Sequence, residues 1–340
     1  MSATVSASIV GAPAAAAASP ASPAKLQLQL RAITCLADDI CSFEFVDPQH
    51  KPLPQFTAGA HIDVHLPDGT IRQYSLCNDP TETHRYVVAV LRDPNGRGGS
   101  VAMHDTLRAG MLVTVSAPRN HFELSDDAAR YLFIGGGIGI TPLMSMIAEV
   151  RARGQDFHLV YCTRSPQRTA FLRELQPLIA SGHVTLHHDH GDPKQGVDLA
   201  ALLRDATPGT HVYYCGPNGF LDAIDRAVEH WPKGTTHCER FSAPAGETID
   251  TSADTAFEVE LKRSGKTFTV PPGQSIVHVM QAHGMDIDVS CEEGYCGTCM
   301  TRYLAGEPIH RDSVLDEEDR EEFVMICCSR SKSKKLVLDI

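Results

Sequence analysis

The sequence lacks the features of a membrane-spanning protein and of a nucleic-acid-binding protein. It contains no uninterrupted run of about 18 apolar residues, the length that a helix needs to cross a bilayer. Its 42 acidic residues outnumber its 30 basic residues, which gives a net charge of −12. Because binding to a phosphate backbone needs clustered Lys and Arg, this balance argues against a nucleic-acid partner. We therefore expect neither a membrane span nor a bound nucleic acid.

The chain also lacks a secretion signal and a pattern of paired cysteines. Residues 1–25 are mostly Ala, Ser, Pro, Val and Thr, without a charged side chain before Lys25, whereas a signal peptide opens with basic residues. We predict a disordered tail for this segment. The cysteines number 11, and outside one cluster their spacing is scattered, unlike a disulfide framework. Free thiols indicate a reducing compartment, so we expect the protein in the cytoplasm.

Three of the cysteines lie close together in the stretch S-C-E-E-G-Y-C-G-T-C-M, residues 290–300. Their C-x4-C-x2-C spacing is typical of a plant-type 2Fe–2S cluster, whose fourth thiolate comes from far along the chain. Zinc sites, the alternative for four cysteines, usually present two close pairs instead. Gly294 and Gly297 would let the backbone wrap closely around an inorganic core. The predicted ligands are Cys291, Cys296, Cys299 and Cys327, the last in an apolar run that would bury it.

Residues 26–125 have the pattern of a small antiparallel β-barrel. Short segments alternate apolar and polar residues with period two, and turn signals rich in Pro, Asp and Gly separate them. One strand carries R-Q-Y-S, in which Arg72 and Tyr74 share a face and Ser75 points the other way. An aromatic ring beside a guanidinium suits a planar ligand with a phosphate, although a surface strand pair would give the same pattern.

A glycine-rich turn, R-G-G-S at residues 97–100, precedes a predicted helix that Ser100 would cap. Free N–H groups at a helix start can hold a phosphate. This turn is therefore a second candidate for phosphate binding within the barrel.

Residues 126–240 change to alternating strands and helices, the pattern of a doubly wound parallel sheet. A glycine loop, G-G-G-I-G-I-T-P at residues 135–142, lies between a strand and a helix and indicates a pyrophosphate site. The standard dinucleotide fingerprint is incomplete, because Ile140 or Pro142 stands where its third glycine belongs. The acid expected after the second strand is also missing, and Thr163 and Arg164 take its place.

The last part of the chain contains a linker and the cysteine cluster. Residues 241–254 have the composition of a linker, and residues 255–340 hold alternating strands, one helix and the cluster loop. From Asp286 to Glu322 there are 12 acidic side chains and three Arg. Such a run is either a solvated face or a docking surface for a basic partner, and the sequence leaves both interpretations open.

The order of these motifs resembles that of the phthalate dioxygenase reductase family over residues 26 to 340, and it is especially similar to members that serve O-demethylases. The order is R-Q-Y-S, G-G-S, G-G-G-I-G-I-T-P, C-G-P at residues 215–217, and then the ferredoxin cysteines. The resemblance implies a multidomain fold: a flavin-binding antiparallel β-barrel (26–125), a ferredoxin–NADP reductase-like α/β NAD domain (126–240) and a C-terminal β-grasp ferredoxin domain (255–340). It also accounts for the incomplete fingerprint, because that superfamily uses a glycine loop ending in Thr-Pro.

The resemblance implies roles for individual residues. Arg72 would bind the flavin phosphate, Tyr74 would stack on the isoalloxazine ring, and Ser75 would hydrogen-bond near its N5. The other residues implied to bind the flavin are Gln73, the Val90 backbone, Gly98, Gly99 and Ser100. Those implied to approach the nicotinamide nucleotide are Gly136, Gly137, Thr141, Cys215, Gly216 and Pro217. Phe241 would cover the flavin where the hydride arrives, so the residues implied at the reacting atoms are Ser75, Cys215 and Phe241.

The resemblance also implies the cofactors. The C-terminal position of the ferredoxin domain implies FMN rather than FAD, and the family pattern selects Cys327 rather than Cys328 as the fourth cluster ligand. It implies NADH rather than NADPH. The residues alone point the other way, because Arg164 and Arg168 can pair with a 2′-phosphate and no acid is evident for the ribose hydroxyl.

These features together predict an electron-transfer reductase, the partner of the oxygenase in a two-component aromatic oxygenase or O-demethylase of the Rieske type. NADH delivers an electron pair as hydride, a 2Fe–2S cluster accepts one electron, and a flavin can bridge the two. The alternatives are a reductase for a haem-thiolate monooxygenase or a multicomponent hydroxylase, a non-enzymatic redox sensor without a flavin site, and a zinc-stabilised binding module.

Overall fold

The computed structural model describes residues 24–242, 254–285 and 287–340, which form three units, each built on one large sheet, and a further two-stranded sheet in the last unit. Most of the predicted tail and most of the predicted linker lie outside the described residues. None of the helices in these ranges is long and apolar enough to cross a membrane.

The first sheet is antiparallel and closes into a barrel. Its strand order is β4-β3-β6-β1-β2-β5, and a bridge between Leu76 and Val88 joins the two end strands. Alternating side chains such as Phe43, Phe45 and Ile62 fill the interior, as the period-two pattern predicts. The elements are β1 (Lys25–Ala37), β2 (Ile40–Val46), β3 (His61–His65), β4 (Ile71–Ser75), β5 (Tyr86–Leu91), α1 (Gly99–Thr106) and β6 (Leu112–Ser116).

The predicted cap of α1 is wrong. The helix begins at Gly99 after Gly98, and no side chain caps it. Ser100 already lies within the first turn, where its hydroxyl accepts a hydrogen bond from the Asp93 amide at 3.0 Å. Gly98 has φ 81°, a conformation that glycine adopts without strain, so backbone geometry starts this helix.

The second sheet is parallel throughout, with strand order β11-β10-β7-β8-β9. Because β8 lies on one side of β7 and β10 on the other, the chain changes direction across the sheet at the carboxyl end of β7, where α/β folds bind ligands. The elements are β7 (Arg130–Gly136), α2 (Ile140–Ala152), β8 (Asp156–Thr163), α3 (Leu172–Ala180), β9 (Val184–His188), α4 (Leu199–Leu202), β10 (Thr210–Cys215), α5 (Asn218–Val228) and β11 (Thr236–Glu239).

The third sheet is mixed, with order β13-β12-β18-β14-β16, and β12 runs parallel to β18. Helix α6, capped by the Ser275 side chain, buries Ile276 and Met280 in the core of this unit. The elements are β12 (Phe257–Leu261), β13 (Thr267–Val270), α6 (Ile276–Ala282), β14 (Met300–Ala305), β15 (Pro308–Ile309), α7 (Asp319–Glu322), β16 (Phe323–Met325), β17 (Arg330–Ser331) and β18 (Lys335–Leu338).

The third unit is anchored at its first described residue. The buried Asp254 carboxylate pairs with the Arg311 guanidinium at 2.5 Å and lies 3.6 Å from Arg330. Arg330 is buried too, stacks over the Phe257 ring at 4.8 Å and donates to the Thr255 carbonyl at 2.8 Å. These contacts tie the start of the unit to its core.

Candidate functional site

Strand β4 lies where the three units meet. From this strand, Gln73 Nε2 donates to the carbonyl oxygen of Cys296 in the cluster loop at 2.9 Å. Ser75 Oγ donates to a carboxyl oxygen of Glu239 in the second unit at 3.5 Å. A ligand held by this strand would therefore face both the second, parallel sheet and the cysteine loop.

The register of β3 and β4 places the predicted flavin residues on two faces. Tyr74 pairs with Ile62, whose side chain enters the barrel core, and Ser75 pairs with His61. Tyr74 and Ser75 thus point in opposite directions. Tyr74 is largely buried, and this burial raises the pKa of its hydroxyl.

Arg72 packs directly against the glycine turn before α1. A Cβ atom on Gly99 would lie 2.4 Å from Arg72 Cγ, so only glycine permits this approach. The Arg72 guanidinium donates to the Arg97 carbonyl at 3.1 Å. Arg72, Gly98, Gly99 and Ser100 therefore form one cradle of cationic and backbone N–H groups, which fits a phosphate. Val90 lies on β5, and its carbonyl oxygen is bonded to the His104 ring at 2.9 Å.

The glycine loop after β7 packs on the backbone at the end of β10. A Cβ atom on Gly139 would lie 2.3 Å from the Cys215 carbonyl oxygen, and one on Gly136 would lie 2.9 Å from the Phe220 ring. Gly137, in contrast, has φ 55° and open space around it. This loop therefore needs glycine at 139 for close packing, whereas positions 140 and 142 carry buried side chains in the first turn of α2. Neither Gly139 nor Phe220 was among the predicted site residues.

Thr141 and the turn at residues 215–217 complete this edge of the sheet. Thr141 is buried, and its hydroxyl donates to the Ile138 carbonyl at 3.0 Å, which fixes the loop. Cys215 is fully buried at the end of β10, and burial raises the pKa of its thiol. Pro217 then precedes the first turn of α5.

Glu239 is a site residue that the sequence did not reveal. It ends β11 directly beside Cys215, with the Ser75 hydroxyl as its hydrogen-bond donor. Burial raises its pKa to about 8, so the carboxyl group is mostly neutral at pH 7. Its only sequence signal is its place next to Arg240 and the predicted Phe241. Phe241 follows at the surface, with 37% of its area exposed.

The four predicted cluster ligands come together. Cys291, Cys296, Cys299 and Cys327 are all buried. Side-chain contacts join Cys291 to Cys296, Cys299 to Cys327 and Cys291 to Cys327. The thiol of Cys328 also contacts Cys327, but it turns toward the Met325 carbonyl.

The thiol arrangement fits a two-iron cluster. Cys291 contacts Cys296 and Cys299 contacts Cys327, so the four thiols form two pairs, as a 2Fe–2S core held by four thiolates would need. The hydrogen bond with Cys291 and burial both raise the pKa of the Cys296 thiol and thus favour its neutral form. A cationic iron–sulfur core beside the thiol would favour the thiolate instead.

Charged side chains of the barrel hold the cluster loop. The Arg97 guanidinium donates to the Cys291 carbonyl and, at 3.1 Å, to the Tyr295 hydroxyl. On the other side of the loop, Arg119 pairs with the buried Asp63 carboxylate at 2.6 Å and reaches the Thr298 hydroxyl at 3.4 Å. A Cβ atom on Gly297 would lie 2.7 Å from the His121 ring, so the loop lies against the barrel.

Comparisons with known proteins identify two of the units. Residues 259–332 match the family described as 2Fe-2S iron-sulfur cluster binding domain. Residues 133–226 match the family described as oxidoreductase NAD-binding domain.

Full-length relatives extend this assignment to the whole chain. The chain is 44% identical to the phthalate dioxygenase reductase of Burkholderia cepacia, over 93% of its own length and 97% of that protein's. The chain belongs to the phthalate dioxygenase reductase family. It is 45% identical to the vanillate O-demethylase oxidoreductase of a Pseudomonas sp. over 93% of this chain and 100% of the relative. It is 46% identical to a tert-butanol monooxygenase / tert-amyl alcohol desaturase reductase subunit of Aquincola tertiaricarbonis, with coverages of 93% and 96%.

Solved structures agree with this assignment. A phthalate dioxygenase reductase, titled a modular structure for electron transfer from pyridine nucleotides to 2Fe–2S, matches with a TM-score of 0.70 at 44% identity, over 93% of this chain and 98% of that one. An intact type IV self-sufficient cytochrome P-450 monooxygenase matches with a TM-score of 0.84 at 40% identity, over 93% of this chain and 41% of that one.

Membership of the phthalate dioxygenase reductase family confirms several predictions. The multidomain fold is confirmed, and the protein is an oxidoreductase that uses NADH, a flavin and a 2Fe–2S cluster. The interpretations as a zinc module and as a non-enzymatic sensor are thereby wrong. The domain boundaries and the roles of individual residues stay predictions.

Proposed function

We propose that this chain is the reductase component of a two-component aromatic oxygenase or O-demethylase of the Rieske type. It would pass electrons from NADH through FMN to the cluster and on to the oxygenase, in the cytoplasm, where thiols stay reduced. Relatives that are named as reductases of a phthalate dioxygenase and a vanillate O-demethylase support this choice.

The observation that carries this proposal is the position of β4. Gln73 bonds the cluster loop and Ser75 bonds Glu239 of the NAD domain, so one strand contacts both the electron-donating and the electron-accepting side. When bound here, a flavin supplies the exchange between an electron pair and single electrons. The chain's own residues supply position, charge and exclusion of water.

On the flavin side, we assign binding to the residues of β4 and the glycine turn. Arg72, Gly98, Gly99 and Ser100 would hold the phosphate, which a single cationic and amide-lined cradle can neutralise. Tyr74 would cover the ring. The Val90 backbone would line it, and Gln73 would fix the edge nearest the cluster through its bond to Cys296. This cradle can hold one phosphate group, which favours FMN over FAD.

On the nucleotide side, we assign binding to the loop after β7 and the turn after β10. Gly136, Gly137 and Thr141 would line the pyrophosphate, because Gly137 is open to a ligand. Cys215, Gly216 and Pro217 would lie beside the nicotinamide, and Phe241 would cover the ring that receives the hydride. Ser75 and the neutral Glu239 would hydrogen-bond at the reacting edge without placing a negative charge there.

On the exit side, the thiolates of Cys291, Cys296, Cys299 and Cys327 would hold the cluster. Glu292 and Glu293 are exposed in the cluster loop, and α7 adds further exposed acidic residues on the same unit. We propose this face as the docking surface for an oxygenase whose own face is basic, since opposite charges steer association.

A second candidate function is electron delivery to a haem-thiolate monooxygenase. It is favoured by the TM-score of 0.84 with the self-sufficient cytochrome P-450 monooxygenase, of which this chain matches less than half. The acceptor, rather than the reductase chemistry, distinguishes this candidate from the first.

The proposal is tested with the purified, cofactor-loaded chain. We expect visible absorbance from flavin and iron–sulfur, FMN on extraction, and bleaching of both features by NADH. Paired with a Rieske oxygenase of the aromatic class and NADH, the chain should support product formation, whereas a haem-thiolate enzyme should receive electrons slowly. Failure to deliver electrons to the Rieske oxygenase would contradict the assignment, and so would extraction of FAD instead of FMN.

A further inference from the structure

The turn between β1 and β2 reaches from the barrel to the loop that follows β8. Asp38 and Asp39 form this two-residue turn, because Ala37 pairs with Ile40. The Asp38 amide donates to the Gln167 carbonyl at 2.9 Å. The Asp39 carboxylate pairs with the Arg168 guanidinium, also at 2.9 Å. The barrel thus holds residues 167 and 168 at two points.

The loop after β8 is where a bound dinucleotide would place its adenosine ribose. Gly136 at the end of β7 pairs with Cys162 near the end of β8, so the glycine loop and this loop are neighbours. In doubly wound sheets, the pyrophosphate lies at the first of these ends and the ribose over the second. Two cations, Arg164 and Arg168, lie in this loop. A ribose 2′-phosphate would seek such guanidinium groups.

The two arginines differ in their present partners. Arg164 is exposed and forms no ion pair with the part of the chain that the structure describes. Arg168 is engaged by Asp39, which adds a negative charge beside the cations that a 2′-phosphate would need. A dianionic group would have to displace that carboxylate or lie next to it, and both are unfavourable.

We propose that Asp39 is a specificity-determining residue that favours NADH over NADPH. It occupies Arg168 and repels a 2′-phosphate, so discrimination comes from a barrel residue rather than from an acid on the sheet. This inference rests on the proposed function only in requiring that the nucleotide bind at the glycine loop.

The turn allows clean substitutions at this position. Asp39 has φ 62°, a left-handed conformation that Asn tolerates and glycine adopts freely. Asp39→Asn removes the charge, and Asp39→Gly removes the side chain, while both keep the turn. Asp156→Asn is the matched control, because Asp156 pairs with Arg130 at 3.2 Å at the opposite end of β8.

The test measures binding of 2′-phospho-AMP and of 5′-AMP to the flavin-loaded full chain by calorimetry, and NADPH against NADH turnover with ferricyanide. Both Asp39 variants should bind 2′-phospho-AMP about threefold to tenfold more tightly and raise the NADPH/NADH ratio of kcat/KM by a similar factor. Affinity for 5′-AMP should stay within about twofold. Adding Arg168→Gln should remove the gain, and Asp156→Asn should change nothing.

Two results would overturn the inference: unchanged 2′-phospho-AMP affinity in Asp39→Gly, or a gain that survives Arg168→Gln. Either leaves the proposed function intact so long as 5′-AMP and NADH still bind. Failure of the parent chain to bind 5′-AMP or to oxidise NADH would refute the proposed nucleotide site itself and the inference with it.

Discussion

The junction between the barrel and the NAD domain differs from the junction between the barrel and the cluster loop. At the first, the meeting groups beside the flavin strand are uncharged: Ser75 donates to a largely neutral Glu239, and the Gly59 amide donates to the Ser145 hydroxyl at 3.1 Å. The Asp39–Arg168 ion pair lies apart from them, at the loop after β8. At the second, the guanidinium groups of Arg97 and Arg119 reach the cluster loop.

The difference matches what each junction has to do. Hydride transfer needs reacting atoms within about 3–3.5 Å and little water, so a close-packed, neutral surface suits a nucleotide that enters and leaves. The cluster stays in place and needs only a fixed relation to the flavin. Charge-assisted hydrogen bonds to its loop provide that relation without close packing.

The largest expected effect comes from removing a cluster ligand. Cys296→Ser should abolish electron delivery to an oxygenase, while NADH-dependent reduction of the flavin, followed with ferricyanide, persists. Cys328→Ser is the control and should keep the cluster absorbance, because the Cys328 thiol turns toward the Met325 carbonyl. Loss of both activities in Cys296→Ser, with flavin retained, would mean that the two junctions do not work separately.

The next largest effect tests the charged junction between the barrel and the cluster loop. Arg119→Gln leaves the buried Asp63 carboxylate without its 2.6 Å partner, which should lower the free energy of unfolding by about 3 kcal/mol. It should also slow cluster reduction in stopped-flow measurements by about tenfold, at constant flavin reduction. In the double variant with Asp63→Asn, stability should recover but the slow step should remain. If stability and the rate of cluster reduction both recovered, Arg119 would have only a structural role.

The close packing of the glycine loop within the NAD domain is tested at Gly139. Its φ is −62°, so alanine brings no backbone strain, but the new Cβ atom would lie 2.3 Å from the Cys215 carbonyl oxygen. Gly139→Ala should displace the loop and raise the KM for NADH by about tenfold, or about 1.4 kcal/mol. Gly219→Ala, with no atom within 4 Å of the added carbon, should leave KM unchanged.

The smallest effect concerns pH. Burial raises the pKa of Glu239 from 4.5 to about 8, so the folded chain holds this proton where the unfolded chain has lost it. The neutral Glu239 carboxyl therefore makes its full contribution to the free energy of unfolding below about pH 4.5, and this contribution is lost as pH rises through about 8. NADH–ferricyanide turnover should fall severalfold between pH 7 and about 9 as the carboxyl ionises. Glu239→Gln, which stays neutral, should flatten this decline and the matching loss of thermal stability; an unchanged profile would exclude Glu239 as its cause.

The features that the sequence predicted correctly depend on short-range patterns. The three cysteines within residues 291–299 and the glycine loop at 135–142 are local motifs, and strand alternation marked the barrel. The charged junction escaped prediction, because Asp63, Arg119 and Thr298 are far apart in the chain and meet only through tertiary packing. The cap at Ser100 was mispredicted because the left-handed Gly98 takes the cap position, two residues earlier.

Burial was the other missing information. Glu239 is an ordinary carboxylate in the sequence, and only its enclosure beside Cys215 raises its pKa. Gln73 was assigned to the flavin on the R-Q-Y-S motif, yet its amide also reaches the Cys296 carbonyl, a contact that no local pattern encodes.

The buried ion pairs of Asp254 give the ferredoxin unit a mechanical boundary. A pull on the chain before this residue meets Arg311 and Arg330 of the same unit first. The chain before residue 254 can then change in length and composition while the start of the unit stays fixed to its core. A module built this way can be joined to other catalytic units in a longer polypeptide.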